Sequence, residues 1–105
     1  MVIIPCSMNT LGKIAAGIAD NLILRAADVT IKEQRKLILV ARETPLSAIH
    51  LKNMLALARS GVVILPPVLS FYHHPASIED IVEHLIGKTL SLLQIDLPEF
   101  KRWEK

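Results

Sequence analysis

Residues 36–50 read KLILVARETPLSAIH, and the change of character inside that stretch decides the fold. Leu37 to Ala41 is an unbroken apolar run without polar alternation, the pattern of a strand buried on both faces of a parallel sheet. Arg42, Glu43 and Thr44 follow at once, and Thr44 precedes Pro45. Threonine followed by proline makes an N-cap and a first helical position, so the stretch predicts a strand, a charged turn and a helix start. Leu51, Met54, Leu55 and Ala58 continue at helical spacing, and Gly61 stands where a C-cap glycine ends a helix.

Outward from this stretch, Val2 to Pro5 and Val62 to Leu65 are apolar runs of the same kind and read as buried parallel strands. Ile14, Ile18 and Leu22 recur every fourth residue, the stripe of a helix between the first two strands. Strands alternating with helices give an α/β layered fold. LPPVLSFYHHPAS, residues 65–77, is a proline-rich loop. Ser77 and Asp80 then stand near capping-box spacing ahead of Ile78, Ile81, Val82, Leu85 and Leu92, which predicts a long last helix. Residues 93–105 read as a tail, and with no repeat or linker in sight residues 1–105 read as a single domain.

Composition excludes several classes of function. With 51% hydrophobic residues in 105, the chain has little volume in which to hide its apolar surface, so part of it should meet another chain. Twelve Lys and Arg against ten Asp and Glu give a net charge of only +2, too little for a nucleic-acid footprint. The apolar runs stop far short of the ~20 residues that span a bilayer. Met1 leads straight into Val2, Ile3 and Ile4, so no secretion signal is expected. The single cysteine, Cys6, forbids an internal disulfide, fits a reducing cytoplasm and reads as core filling. His73 and His74 lack a cysteine or carboxylate at ligand spacing, so no metal site is expected. His50 and His84 read as helix-surface residues.

Ligands of an open parallel sheet bind beyond the carboxyl ends of its strands, where helix N-termini converge. The first strand is followed by Ser7, Asn9 and Thr10, the second by Arg42 and Glu43, and the third by the loop with Ser70, Tyr72, His73 and His74. Free amides and hydroxyls at such starts make an anion site. Arg25, Lys32 and Lys88 each lie on a helix or turn able to face that same end, a set suited to a phosphate dianion. The plain alternative is that Arg42 pairs with Glu43 in a solvated turn and that the lysines are surface residues. The residues alone lead to an α/β domain with an anion site.

Four strings in combination resemble the flavin prenyltransferase family, formerly called aromatic acid decarboxylases: Pro5-Cys6-Ser7-Met8-x-Thr10, Arg25-Ala26-Ala27-Asp28-Val29, Arg42-Glu43-Thr44-Pro45-Leu46, and Pro66-Pro67 followed by Phe71-Tyr72-x-x-Pro75. The resemblance runs from about Val2 to Leu97. It implies a Rossmann-like, three-layer αβα flavoprotein fold with a parallel sheet, here lacking the family's N-terminal strands and Gly-Ala-Ser-Gly type loop. It implies transfer of a dimethylallyl group from dimethylallyl phosphate to N5 and C6 of reduced flavin mononucleotide (FMN), without a metal. The product is the cofactor of a separate decarboxylase in ubiquinone biosynthesis or aromatic acid breakdown.

Carried over by position, Ser7, Met8, Asn9, Thr10 and Arg42 would contact the flavin, and Arg25 would lie near it or at a subunit contact. Glu43 would be the acid/base carboxylate, while Lys32, Tyr72 and Lys88 would hold the donor's phosphate. Lys88 stands where the family usually has arginine, which replaces a bidentate grip with a point charge. The family forms homo-oligomers, trimers or dodecamers, with flavin between subunits. The family's N-terminal half would be supplied by a separate N-terminal polypeptide, or else the sequence is a fragment or a truncated remnant of the family's domain. An FMN-binding or structural fragment without transferase activity is the alternative, and direct decarboxylation of aromatic acids a third reading.

Overall fold

Strand and helix alternate along the chain as the apolar runs predict. The computed structural model describes residues 1–68 and 74–95. The order is β1 (Val2–Cys6), α1 (Met8–Ala15), α2 (Leu22–Lys32), β2 (Ile38–Ala41), α3 (Ala48–Arg59), β3 (Val63–Ile64) and α4 (Ile78–Leu92). The chain divides into two units, Met1–Pro66 and Pro67–Lys105. No described helix is long and apolar enough to cross a membrane.

In the first unit the three strands form a parallel sheet in the order β1-β2-β3. β2 is central and wholly buried, as its unbroken apolar run requires. Leu37, Leu39 and Ala41 join one core with Leu11 and Ile14 of α1, Leu24 and Ala27 of α2 and Leu57 of α3. Ile38 and Val40, which alternate with them, are buried as well. Truncating Leu39 would cost about 2–5 kcal/mol.

β1 departs from the fully buried strand expected of it, because Ile4 and Pro5 are exposed. Its register runs Val2 to Ile38 and Ile3 to Leu39, then slips so that Cys6 faces Ala41. Pro5 has no N–H to offer the ladder, so pairing lapses there and the strand bulges. Among the described residues β1 pairs with no strand but β2.

The stripe Ile14, Ile18, Leu22 does not belong to one helix. α1 stops at Ala15, with Ala16 as C-cap and Gly17 left-handed at φ +75°. The Ile18 N–H donates to the Lys13 carbonyl and that of Gly17 to Ile14, a Schellman closure. α2 restarts behind Asn21, whose Oδ1 accepts the Leu24 N–H at 2.8 Å. Capping at Gly17 and Asn21 therefore overrides the periodicity, and Leu22 is exposed.

The start of α3 is also later than Thr44-Pro45 suggests. Ser47 is the N-cap: its Oγ accepts the His50 N–H at 3.1 Å, and His50 Nδ1 accepts the Ser47 N–H at 3.2 Å. His50 thus has a structural task, closing a reciprocal capping box. The other end is as expected, with Gly61 at φ +89° and the Val62 N–H on the Leu57 carbonyl.

In the second unit Ser77 caps α4, its Oγ accepting the Asp80 N–H at 3.2 Å, while Asp80 Oδ2 accepts the Ala76 N–H at 2.8 Å. Glu79 and Asp80 lie in the first turn, where negative charge complements the helix dipole. His84 is buried rather than at the helix surface, because it shares a face with buried Ile81 and Gly87. The predicted tail lies outside the described residues from position 96 onward.

Replacing His50 by alanine should lower the unfolding free energy by roughly 0.5–1 kcal/mol, whereas glutamine, which suits the same position of a capping box, should recover most of the loss. Thermal unfolding of both variants checks this, and equal losses would argue against the box.

Candidate functional site

The pairing of Cys6 with Ala41 brings two parallel strands to a level finish, so Ser7 and Arg42 leave the sheet side by side. Ser7 is in extended conformation and caps α1, its Oγ accepting the Thr10 N–H at 3.1 Å and donating to Thr10 Oγ1 at 3.1 Å. The Met8 and Asn9 amides have no hydrogen-bond partner among the described residues, as befits the first turn of a helix. Two hydroxyls and two free amides therefore meet the positive end of the α1 dipole.

Arg42 and Glu43 are exposed on the loop between β2 and α3. Glu43 Oε1 accepts the Thr44 N–H at 3.2 Å, which tethers the carboxylate to its own loop. Arg42 makes no ion pair among the described residues, so the self-paired Arg42–Glu43 turn does not form. An unengaged guanidinium next to a helix N-terminus is a site for an anion. The far end of the loop is fixed by the Ser47–His50 box. Sequence reasoning missed that anchor because histidine, rather than glutamate or glutamine, fills its fourth position.

Behind Ser7, Cys6 is buried and its Sγ lies 3.6 Å from the Ser7 carbonyl. Burial pushes its thiol pKa up, because the thiolate would lose solvation. The group is a wall of the site, not a nucleophile.

The remaining expected site residues are scattered. Lys32 is the last residue of α2 and is paired with Asp28 at 3.5 Å. Thr30, two residues earlier, touches Met1 Sδ at 3.5 Å, and the Met1 ammonium donates to the Lys36 carbonyl at 2.9 Å. Lys32 therefore stands at the edge where β1 begins, opposite Ser7 and Arg42 of its own chain. Arg25 is exposed in the first turn of α2, about 10 Å along the helix from Lys32. Lys88 is exposed on α4 in the second unit. Ser70, Tyr72 and His73 lie outside the described residues.

A cavity of about 320 Å³ opens between the C-terminal ends of α2 and α3, lined by Gln34, Arg35 and Arg59 among others. Helix carbonyl ends carry negative partial charge, so the arginines there complement dipoles. Arg35 also lies 3.6 Å from Glu33. The electrostatics favour the opposite edge, at Ser7 and Arg42, for an anionic ligand.

Comparison with known proteins identifies the fold and the family. Residues 1–90 match the family model described as Flavoprotein. The chain belongs to the Flavoprotein family. It is 54% identical over 103 residues to a probable UbiX-like flavin prenyltransferase of Bacillus subtilis, covering 98% of this chain and 50% of that protein. All of it superposes, with a TM-score of 0.95 and 52% identity, on 56% of AnUbiX (PadA1), solved in complex with FMN and dimethylallyl pyrophosphate. It likewise superposes, at a TM-score of 0.94 and 53% identity, on 57% of a dodecameric FMN-dependent UbiX-like decarboxylase from Escherichia coli O157:H7. The fold is thus the α/β flavoprotein fold with a parallel sheet, and the chain spans about half the length of the curated relatives it matches.

The donor set at the edge, free amides, hydroxyls and a guanidinium, suits an anionic, oxygen-rich ligand such as FMN. Because folding favours the protonated Cys6 thiol, that contribution is complete at neutral pH and is lost only as pH rises through its elevated pKa. Iodoacetamide at neutral pH should therefore alkylate the native chain at least ~100-fold more slowly than the urea-unfolded chain. Comparable rates would place Cys6 at the surface.

Proposed function

We propose that the chain is the FMN-binding and catalytic part of a flavin prenyltransferase that moves a dimethylallyl group from a prenyl phosphate ester to reduced FMN. One observation carries the reading: the level finish of β1 and β2, which sets the α1 N-terminus beside Arg42 and Glu43 in a chain 52% identical to a protein solved with FMN and dimethylallyl pyrophosphate. Bound reduced FMN supplies the nucleophilic ring atoms N5 and C6.

The roles of this chain's residues follow from charge. Ser7, Met8, Asn9 and Thr10 hold and orient the flavin through hydroxyls, amides and side-chain contact, and Arg42 adds a guanidinium to the same ligand. As the C–O bond of the donor breaks, its electron pair leaves with the phosphate, which needs cations and a phenol donor around it. Lys32, Tyr72 and Lys88 take that part. Glu43, held in its loop by the Thr44 amide, accepts the ring proton displaced by the new bond and returns a proton to the departing phosphate. Arg25 orients the flavin or meets a neighbouring subunit.

Lys32 lies across the sheet from Arg42 of its own chain, so its part in this scheme is played by a second copy, in a trimer or dodecamer with flavin between subunits. The dodecameric assembly of a relative at 53% identity supports that arrangement. The other half of the relatives' length, on a separate N-terminal polypeptide or on this one, completes the flavin site. The lone Cys6, kept as a thiol, fits a cytoplasmic compartment.

With that remaining half of the fold present, Glu43→Gln should lower prenylated flavin formation at least ~100-fold while FMN affinity changes less than about threefold. Unchanged turnover would overturn the catalytic assignment, and loss of FMN binding would make Glu43 a structural residue. Mixing inactive Lys32→Ala and Glu43→Gln subunits should restore part of the activity, since mixed oligomers then contain intact composite sites. No recovery on mixing would contradict a contribution from the second copy.

A further inference from the structure

The loop between β2 and α3, residues 42–46, is held at its two ends: Ala41 is buried in β2 and Ser47 caps α3. Inside it, the bond from the Thr44 N–H to Glu43 Oε1 ties the carboxylate to the loop but does not tie the loop to the rest of the fold. The far anchor is therefore the reciprocal box in which His50 Nδ1 accepts the Ser47 N–H at 3.2 Å. Glutamate or glutamine usually takes the place of His50 in such a box, and an amide oxygen accepts at every pH. An imidazole nitrogen accepts only while it is unprotonated, and histidine is the side chain that takes up a proton between about pH 5 and 8.

A proton on Nδ1 turns the acceptor into a donor that faces the Ser47 N–H, so the bond is lost. It also puts positive charge in the first turn of α3, at the positive end of the helix dipole, where no acidic residue offsets it. α3 packs chiefly against α1 and β3. β3 carries no charged residue, and Lys13, the one on α1, lies 3.6 Å from Asp20. Lys52 and Arg59 on α3 and Arg42 in the loop add cations. Glu43 is the one carboxylate on these segments, and the Thr44 amide engages it.

We infer that His50 is a positioning residue for Glu43, a clamp that holds the end of the Arg42–Glu43 loop while its ring is neutral and releases it on taking up a proton. His50 gives nothing to the reaction itself and touches neither the flavin nor the prenyl donor. Its effect is carried by the backbone from Ser47 through Leu46 and Pro45 to Thr44, whose N–H holds the Glu43 carboxylate. With the clamp open, the loop samples positions in which Glu43 no longer meets the proton it is to accept, so transfer falls as pH drops. The inference rests on the acid/base role proposed for Glu43, while the clamp stands on the hydrogen bonds alone.

Two measurements between about pH 8 and 5.5 test it: amide chemical shifts of the full chain, and kcat of prenyl transfer with the remaining half of the fold present. In the wild type the Arg42, Glu43 and Thr44 amides should follow the titration curve of the His50 ring. In His50→Gln, whose amide oxygen does not titrate there, they should stay flat. Wild-type kcat should fall about two- to fivefold more over this range than that of His50→Gln, the share expected of a single capping bond. His50→Ala, with no acceptor, should already sit about two- to fivefold below wild type at the alkaline end and then fall no more steeply than His50→Gln. Circular dichroism should show the same helicity in all three, since Ser47 Oγ still accepts the amide of residue 50. Loop amides that ignore the ring, or the same acid fall in wild type and His50→Gln, would overturn the positioning role. Loop amides that follow the ring in a wild type without prenyl transfer would uphold the clamp and overturn the proposed chemistry instead.

Discussion

The proposed flavin site depends on how β1 finds its register on β2. Pro5 cannot donate to the ladder, the strand bulges around it, and pairing resumes at Cys6 opposite Ala41. With that resumption the two strands finish level. Without it, α1 would start elsewhere along the sheet, and its free amides would no longer stand beside Arg42. The Cys6 side chain, buried under the α1 start, locks this register through packing, and the Ser7 cap fixes the direction in which the helix departs.

The same geometry separates the cations Arg42 and Lys32, which the sequence reading placed at one end of the sheet. Arg42 sits at the carboxyl edge of the sheet by virtue of following β2 directly. Lys32 ends the helix that leads back to the start of β2, so its height on the sheet is fixed at the other edge. A site that uses both residues draws on more than one copy of the chain. That requirement agrees with the apolar excess of the composition.

The parts of the fold that were legible in the sequence are those set by local chemistry over an uninterrupted run. Leu37 to Ala41 could only be a central strand, Gly61 could close a helix in a left-handed conformation, and Ser77 could cap α4. Three other features were misread because competing local signals share residue types. The Ile14–Ile18–Leu22 stripe ignored Gly17 and Asn21, whose capping bonds end one helix and begin another. Thr44-Pro45 resembled a helix start more than Ser47 did, since the stabilising partner of Ser47 is a histidine. His84 looked like a surface residue because its neighbours in sequence are Glu83 and Leu85, whereas its neighbours on the helix face are Ile81 and Gly87. Of the site, Ser7 to Thr10 and Arg42–Glu43 follow from strand ends and motif together. Lys32 was grouped with Arg42 although a helix leading back to the start of a parallel strand must end at the opposite edge of the sheet, where the Thr30–Met1 contact holds it.

The most direct test of the account is the pattern of backbone amide chemical-shift changes when FMN is added to the protein. The level finish of β1 and β2 predicts that Met8, Asn9, Thr10 and Arg42 move most, saturating together at one affinity. Changes centred instead on Gln34, Arg35 and Arg59, with residues 8–10 and 42 unmoved, would place the ligand at the opposite edge of the sheet and contradict it.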